Sequence, residues 1–278
     1  MQEIDNFIET IKQIRDPEKG CVWNLKQSHE SLKRYLLEEL YETLEAIDKK
    51  DPQELEEELG DLLLQIVLHS RIAQEKQEFD FASVVKKINE KMIKRHPHVF
   101  ANDTAQNTKE VDTLWDAQKA KEKQSRKSIF EGIPKEMPAL ARAWKISKKA
   151  VKESFEWDKE EKLYEQLLSE IDELKEIVEA SRAQAKDPHA DDFVNSQMKT
   201  EAELELGDIL FTVVNIARWF KIDPEEALRM TNNKFVKRFD LMMQLCQEEA
   251  KQMNEYSPAE LEQKWQDAKQ IILKSSIA

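Results

Sequence analysis

Glycine and proline are scarce in this chain: four and eight among 278 residues. Hairpin-rich β architecture leans on both, so it is an unlikely product of this composition. Cysteine is nearly absent. Cys21 and Cys246 cannot make a disulfide framework and read as ordinary thiols of a reducing compartment. No apolar run is long enough to span a bilayer. Residues 1–14 alternate charged and apolar side chains and lack the apolar core of a signal peptide, so a cytoplasmic protein without membrane contact is expected. Positive charge is also in deficit, with a formal net charge of −13. A nucleic-acid backbone would be repelled by that field, so no nucleic-acid partner is expected. There is no P-loop, no dinucleotide glycine motif, no Cys/His zinc spacing and no nucleophile constellation, which leaves a metal-held water as the natural attacking group.

What is present is helix-forming material. Charged residues make up 36% of the chain and hydrophobic residues 40%, enough for real cores under long solvated helices. Residues 32–49 carry a stripe of Leu36, Leu40, Leu44 and Ile47 at helical spacing. Asp51-Pro52 marks the start of a second helix, continued by Leu55, Leu59, Leu62, Leu63, Ile66 and Val67. Further helices are predicted over 81–94, ending before Pro97, and over 111–123. The same order then recurs over 163–180, 200–219, 224–247 and 258–272. The expected organisation is all-α, with domains at 1–125 and 139–278, a linker at 126–138 containing Gly132, Pro134 and Pro138, and a long polar loop at 181–199.

Matched words carry the case for duplication. Glu58-Leu59-Gly60-Asp61 returns as Glu205-Leu206-Gly207-Asp208. Glu39 and Glu42 return as Glu170 and Glu173, Lys91 and Arg95 as Lys234 and Arg238, and Trp115 and Lys119 as Trp265 and Lys269. Each acidic pair is three residues apart and shares one helix face. Asp61 and Asp208 each open an apolar run that reads as buried nearly all round, where carboxylates are costly unless compensated. Two such helices packed face to face would gather four carboxylates, whose repulsion calls for a cation; an all-oxygen set favours Mg²⁺ or Mn²⁺ over zinc. Gly60 and Gly207 sit mid-helix before each Asp, which suggests close approach by a backbone or a ligand. A di-iron carboxylate bundle would need Glu-x-x-His, and none of the five histidines follows a Glu by three.

The basic pairs, four apart on a helix face, suit a bound anion. Trp115 and Trp265 suit either base stacking or packing, as do Trp23 in the tract Gly20-Cys21-Val22-Trp23 and Trp157 at the same place in the second copy. His96 and His98, flanking Pro97, read as the end of a helix rather than as metal ligands.

These words resemble the MazG family of all-α nucleoside triphosphate pyrophosphatases. The family pattern, Glu-Glu-x-x-Glu followed after a spacer by Glu-x-x-Asp, is intact in the first copy as Glu38-Glu39-Leu40-Tyr41-Glu42 and Glu58-Leu59-Gly60-Asp61. In the second copy Ser169 replaces the leading Glu before Glu170, while Glu173, Glu205 and Asp208 are kept. The tract 20–23 and the stretch 95–100 also look typical of tandem bacterial members. The resemblance implies helical-bundle domains that dimerise and Mg²⁺ held by Glu170, Glu173, Glu205 and Asp208. Lys234, Arg238, Trp265 and Lys269 would then face the nucleotide. Similar tandem members are credited with activity in the second copy. In the first copy Glu39, Glu42, Glu58 and Asp61, with Lys91, Arg95, Trp115 and Lys119, form a second possible site. Hydrolysis of nucleoside triphosphates to monophosphate and pyrophosphate is the expected activity; a helical nucleotide-binding module without turnover is the alternative.

Overall fold

The computed structural model describes residues 2–121, 128–184, 193–249 and 251–275, and every regular element among them is helical. The chain divides into two compact units, Met1–Ser125 and Arg126–Ala278.

The first unit runs α1 (Gln2–Ile14), α2 (Val22–Leu25), α3 (His29–Lys49), α4 (Pro52–Glu75), α5 (Phe81–Arg95), α6 (Pro97–Phe100) and α7 (Thr108–Lys121). Local chemistry fixes the ends of the two long helices. The Ser28 hydroxyl accepts from the Ser31 N–H, and Ser31 Oγ accepts from the Ser28 N–H, a reciprocal cap on α3. Asp51 Oδ1 accepts from the N–H groups of Gln53 and Glu54, with Pro52 in the first turn of α4. Lys50, at φ 56°, makes the left-handed step that reverses the chain, so α3 and α4 pack as a hairpin. Ile11 of α1, Leu32 of α3 and Val67, Leu68 and Ile72 of α4 form the core, flanked by Phe7, Ile8, Tyr35, Leu64 and Phe81. Burying each such side chain contributes roughly 2 kcal/mol.

The second unit runs α8 (Ala139–Lys152), α9 (Glu160–Gln184), α10 (Ser196–Trp219), α11 (Pro224–Glu248) and α12 (Pro258–Ser275). Asn195 caps α10 by accepting from the Met198 N–H, and Asp223 with Pro224 opens α11 as Asp51-Pro52 opens α4. Helix α10 packs on α9 and α8, and α11 packs on α12. Leu163, Ala202, Val214, Met242, Cys246 and Ala268 are buried.

The structure departs from the sequence reading in its helices and in the loop before α10. Helices α1 and α8 were not foreseen, although each carries a core-facing stripe; α1 packs on α4, and α8 on α10 and α11. The loop expected over 181–199 is shorter. Helix α9 continues to Gln184 and α10 begins at Ser196, because Ser181 is buried and its hydroxyl accepts from the Val194 N–H at 3.0 Å. Residues 185–192 of that loop lie outside the described residues. Residues 128–138 of the expected linker form turns ahead of α8, with Gly132 at φ 82°; 126 and 127 lie outside the described residues.

The apolar runs after Asp61 and Asp208 are not buried all round, contrary to expectation. Gln65, Val67 and Leu68 face inward, while Leu59, Leu63 and Ile66 stay exposed. Leu206, Leu210 and Val213 are likewise exposed beside buried Thr212 and Val214. One stripe of each helix is covered by its own unit and the opposite stripe is left bare. No helix among the described residues is long and apolar enough to cross a membrane.

Candidate metal centre

In the first unit, the α3–α4 hairpin sets the face of α3 that carries Glu39 and Glu42 against the face of α4 that carries Glu58 and Asp61. One carboxylate oxygen from each of Glu39, Glu58 and Asp61 lies within 4.8 Å of the others, and all three residues are half-buried. Glu42 is outside that group but close enough to act on it. Burial pushes the Glu39 carboxyl up from its ordinary range, and Asp61 and then Glu42 push it further, against a hydrogen bond from Gln65 that favours the charged form. Burial also raises Glu58, with Glu42, Asp61, Glu57 and Glu54 adding repulsion.

The second unit repeats the arrangement between α9 and α10 with a different trio. Oxygens of Glu170, Glu173 and Glu205 fall within 4.8 Å of one another, and Asp208 is exposed beside them. Glu205 is raised by burial and then by Glu173, Asp208 and Glu170. The four-carboxylate convergence expected from sequence is therefore three plus a neighbour in each unit. On α9 two further side chains hold the acids: Gln166 Nε2 donates to Glu170 Oε1 at 2.6 Å, and the Ser169 hydroxyl donates to Glu173 Oε1 at 3.0 Å. Ser169, which breaks the acidic pattern, thus orients the acid one turn on.

The donor set fits a hard divalent cation. Around octahedral Mg²⁺ adjacent oxygens stand about 3.0 Å apart and opposite ones about 4.2 Å, so a bound ion would draw the three carboxylates of a trio closer together. Every charge acting on Glu205 is another carboxylate, which is the electrostatic deficit such an ion fills.

Of the two approaches expected at the glycines, by a backbone or by a ligand, only the first concerns the chain itself. A Cβ built at Gly60 or Gly207 meets nothing within 4 Å among the described residues, so no packed neighbour there requires glycine.

The basic and aromatic residues lie on other helices than the acids, α5 and α7 in the first unit and α11 and α12 in the second. Lys91 is exposed on α5; Arg95 is buried there, with its guanidinium 5.1 Å from the centre of the Trp115 ring on α7. His96 meets the same ring edge-on at 5.1 Å and caps the end of α5, the structural role expected of it. Lys119 is half-buried on α7. In the second unit Lys234 is exposed and Arg238 half-buried on α11, and Trp265 and Lys269 are half-buried on α12. Trp265 packs on Phe235 at 5.1 Å between ring centres. Arg238 Nε is buried without a hydrogen-bond partner.

Sequence reasoning missed the polar clamps that hold the tracts leading into α3 and α9. Arg15 grips Glu75 of α4 through Nε and Nη2, at 3.0 and 2.7 Å, and also donates to the Asn24 carbonyl. In the second unit Arg218 Nη2 donates to Glu156 at 2.6 Å and Arg218 Nε to Ser147 Oγ at 2.7 Å; the Ser147 hydroxyl in turn donates to Asn215 Oδ1 at 2.5 Å. Glu156 also accepts the Trp157 N–H, which fixes the half-buried Trp157 beside the entry to α9. Only the 60-residue separation of a buried Arg and its Glu distinguishes such a pair from surface charge, and no periodicity signals it.

Comparison with known proteins places both units. The profile of the MazG nucleotide pyrophosphohydrolase domain matches residues 27–100 and 158–242. The nucleoside triphosphate pyrophosphohydrolase/pyrophosphatase MazG of Thermotoga maritima is 40% identical, over 95% of this chain and 95% of its own. The nucleoside triphosphate pyrophosphohydrolase of Escherichia coli K12 is 36% identical, over 97% of this chain and 98% of its own. A solved mazG-related protein from Thermotoga maritima is 31% identical and covers 43% of this chain and 98% of its own, with a TM-score of 0.36.

Proposed function

Because the chain belongs to the MazG nucleotide pyrophosphohydrolase family, we propose that it hydrolyses nucleoside triphosphates to monophosphate and pyrophosphate with Mg²⁺, for which Mn²⁺ can substitute. The observation that carries this reading is the gathering of three acids within 4.8 Å in each unit, with Glu39 and Glu205 pushed up by burial and by the neighbouring carboxylates. Glu170, Glu173, Glu205 and Asp208 would hold the ion in the second unit, and Glu39, Glu42, Glu58 and Asp61 in the first. A bound divalent ion supplies a water of lowered pKa and charge to offset the triphosphate.

The chain's own side chains do the rest. Glu173, held by Ser169, orients the attacking water toward the α-phosphorus. Lys234 and Arg238 offset charge on the departing pyrophosphate; the buried, unpartnered Nε of Arg238 is a donor kept ready for an anion. Trp265, Lys269 and Trp157 contact the nucleoside end. In the first unit Lys91, Arg95, Trp115 and Lys119 hold the corresponding places. The bare apolar stripe with Leu59, Leu63 and Ile66, and its counterpart with Leu206, Leu210 and Val213, are covered by a second copy of the chain, so the working form is a homodimer.

The test is release of pyrophosphate from dATP or dGTP in the presence of Mg²⁺. Asp208→Ala abolishes it if the second unit turns over, and Asp61→Ala reports on the first. Nucleotide binding without any pyrophosphate release would select the non-catalytic module and end this reading.

A further inference from the structure

The leading carboxylate of each acid trio, Glu39 and Glu170, receives one hydrogen bond from a carboxamide, and the two carboxamides come from unrelated positions. In the first unit the donor is Gln65 on α4, 5% exposed, whose Nε2 lies 3.2 Å from Glu39 Oε1 across the helix pair. In the second unit it is Gln166, one turn before Glu170 on the same helix, at 2.6 Å. The position matching Gln65 holds Thr212 in the second unit, also buried at 4%, and the position matching Gln166 holds Tyr35 in the first. Each copy lacks the other's donor and supplies its own.

Gln65 makes this choice against the ordinary preference of a core. Its Oε1 is buried with no partner, a cost that an apolar side chain of similar size would avoid. An ionised carboxylate only accepts, so the amide must turn its nitrogen toward Glu39, and the oxygen is stranded as a result. The neighbours of Gln65 on α4, Val67 and Leu68, are core residues, so packing alone would favour leucine or methionine here.

We propose that Gln65 and Gln166 are positioning residues: each holds the leading carboxylate of its trio in the orientation that accepts a divalent cation. The inference rests on the cation-binding reading of the two trios. Outer hydrogen bonds of this kind orient ligands and typically change metal affinity by about 10- to 100-fold when removed.

The test uses the full chain and Mn²⁺ alone, titrated calorimetrically without nucleotide. To isolate the first unit, Gln65→Leu is made in a Glu205→Gln background. To isolate the second, Gln166→Ala is made in a Glu58→Gln background. Each substitution is expected to weaken Mn²⁺ binding by about 10-fold or more relative to its background. Gln65→Leu should leave the metal-free melting temperature unchanged or higher, since a stranded buried oxygen is removed, whereas a purely structural Gln65 would lower it. Gln166 is on the exposed face of α9, so its variant reads out even if the core substitution fails to fold. Unchanged Mn²⁺ affinity in the variants overturns the positioning role. No Mn²⁺ binding by the unsubstituted chain would overturn the cation reading itself.

Discussion

Neutralising a single acid of the first trio should stabilise the metal-free first unit and simultaneously remove that unit's response to Mg²⁺. Glu39→Gln is the cleanest case, because the glutamine carbonyl can still accept the hydrogen bond that Gln65 now donates to Glu39 Oε1. Oxygens of Glu39 and Asp61 lie within 4.8 Å of each other. Two unit charges that far apart repel by roughly 1 kcal/mol at the dielectric of water, the appropriate limit for half-exposed groups, and by less in salt. For a unit of this size that corresponds to a rise of about 4 °C at most in the melting temperature. Saturating Mg²⁺ at about 100 times its dissociation constant adds roughly 2.7 kcal/mol to the first unit of the unsubstituted protein and little to that of the variant, so both are compared in a Glu205→Gln background. The stability order of the two proteins should therefore invert between EDTA and Mg²⁺, as read by differential scanning calorimetry. The pH dependence has a definite sign as well. Glu39 is raised in the folded state, so its contribution is fully present below the ordinary carboxylate range and is lost as pH rises through the raised value. In EDTA the advantage of Glu39→Gln should grow from pH 5 to pH 7. A variant that melts lower than the parent in EDTA and still gains fully from Mg²⁺ would refute the reasoning.

Three further outcomes are expected. His29 and His69 stack with their Nδ1 atoms 2.7 Å apart, and burial followed by the charge of His29 lowers the His69 pKa, so the first unit should lose stability as pH falls below about 6.5; His69→Leu should flatten that slope in thermal melts, and an unchanged slope would exclude the pair as its source. Arg15→Ala should destabilise the first unit in urea unfolding by about 1–2 kcal/mol, since Arg71 still pairs with Glu75, and no loss of stability would exclude the Arg15 clamp as a structural tie. Leu63→Glu, on the bare stripe of α4, should halve the mass measured by light scattering, and a dimer that survives it would move the interface elsewhere.

The sequence exposed those features that depend on repetition and periodicity. Asp51-Pro52 announced a helix start and the structure uses it as a cap; Asp223-Pro224 opens α11 in the same way. The paired words Glu58 to Asp61 and Glu205 to Asp208 located the acids before any coordinates. Periodicity could not say which stripe of α4 faces its own unit, because Leu63 and Leu64 are equally apolar and only packing on α1 and α3 distinguishes them. Nor could it find Gln65. A lone glutamine in an apolar run reads as an interruption until its partner on a helix 26 residues away is known. The glycines carry a signal that packing within the chain does not explain. Their cost inside a helix is real, but the chain itself leaves Gly60 and Gly207 in open space. Ser169 shows the reverse case: a break in the acidic motif proves to be a donor to Glu173.

The most direct measurement is anomalous diffraction from crystals grown with Mn²⁺. The account predicts a peak bounded by Glu170, Glu173 and Glu205 and a second bounded by Glu39, Glu58 and Asp61. Well-ordered crystals with both carboxylate groups empty at saturating Mn²⁺ would contradict it.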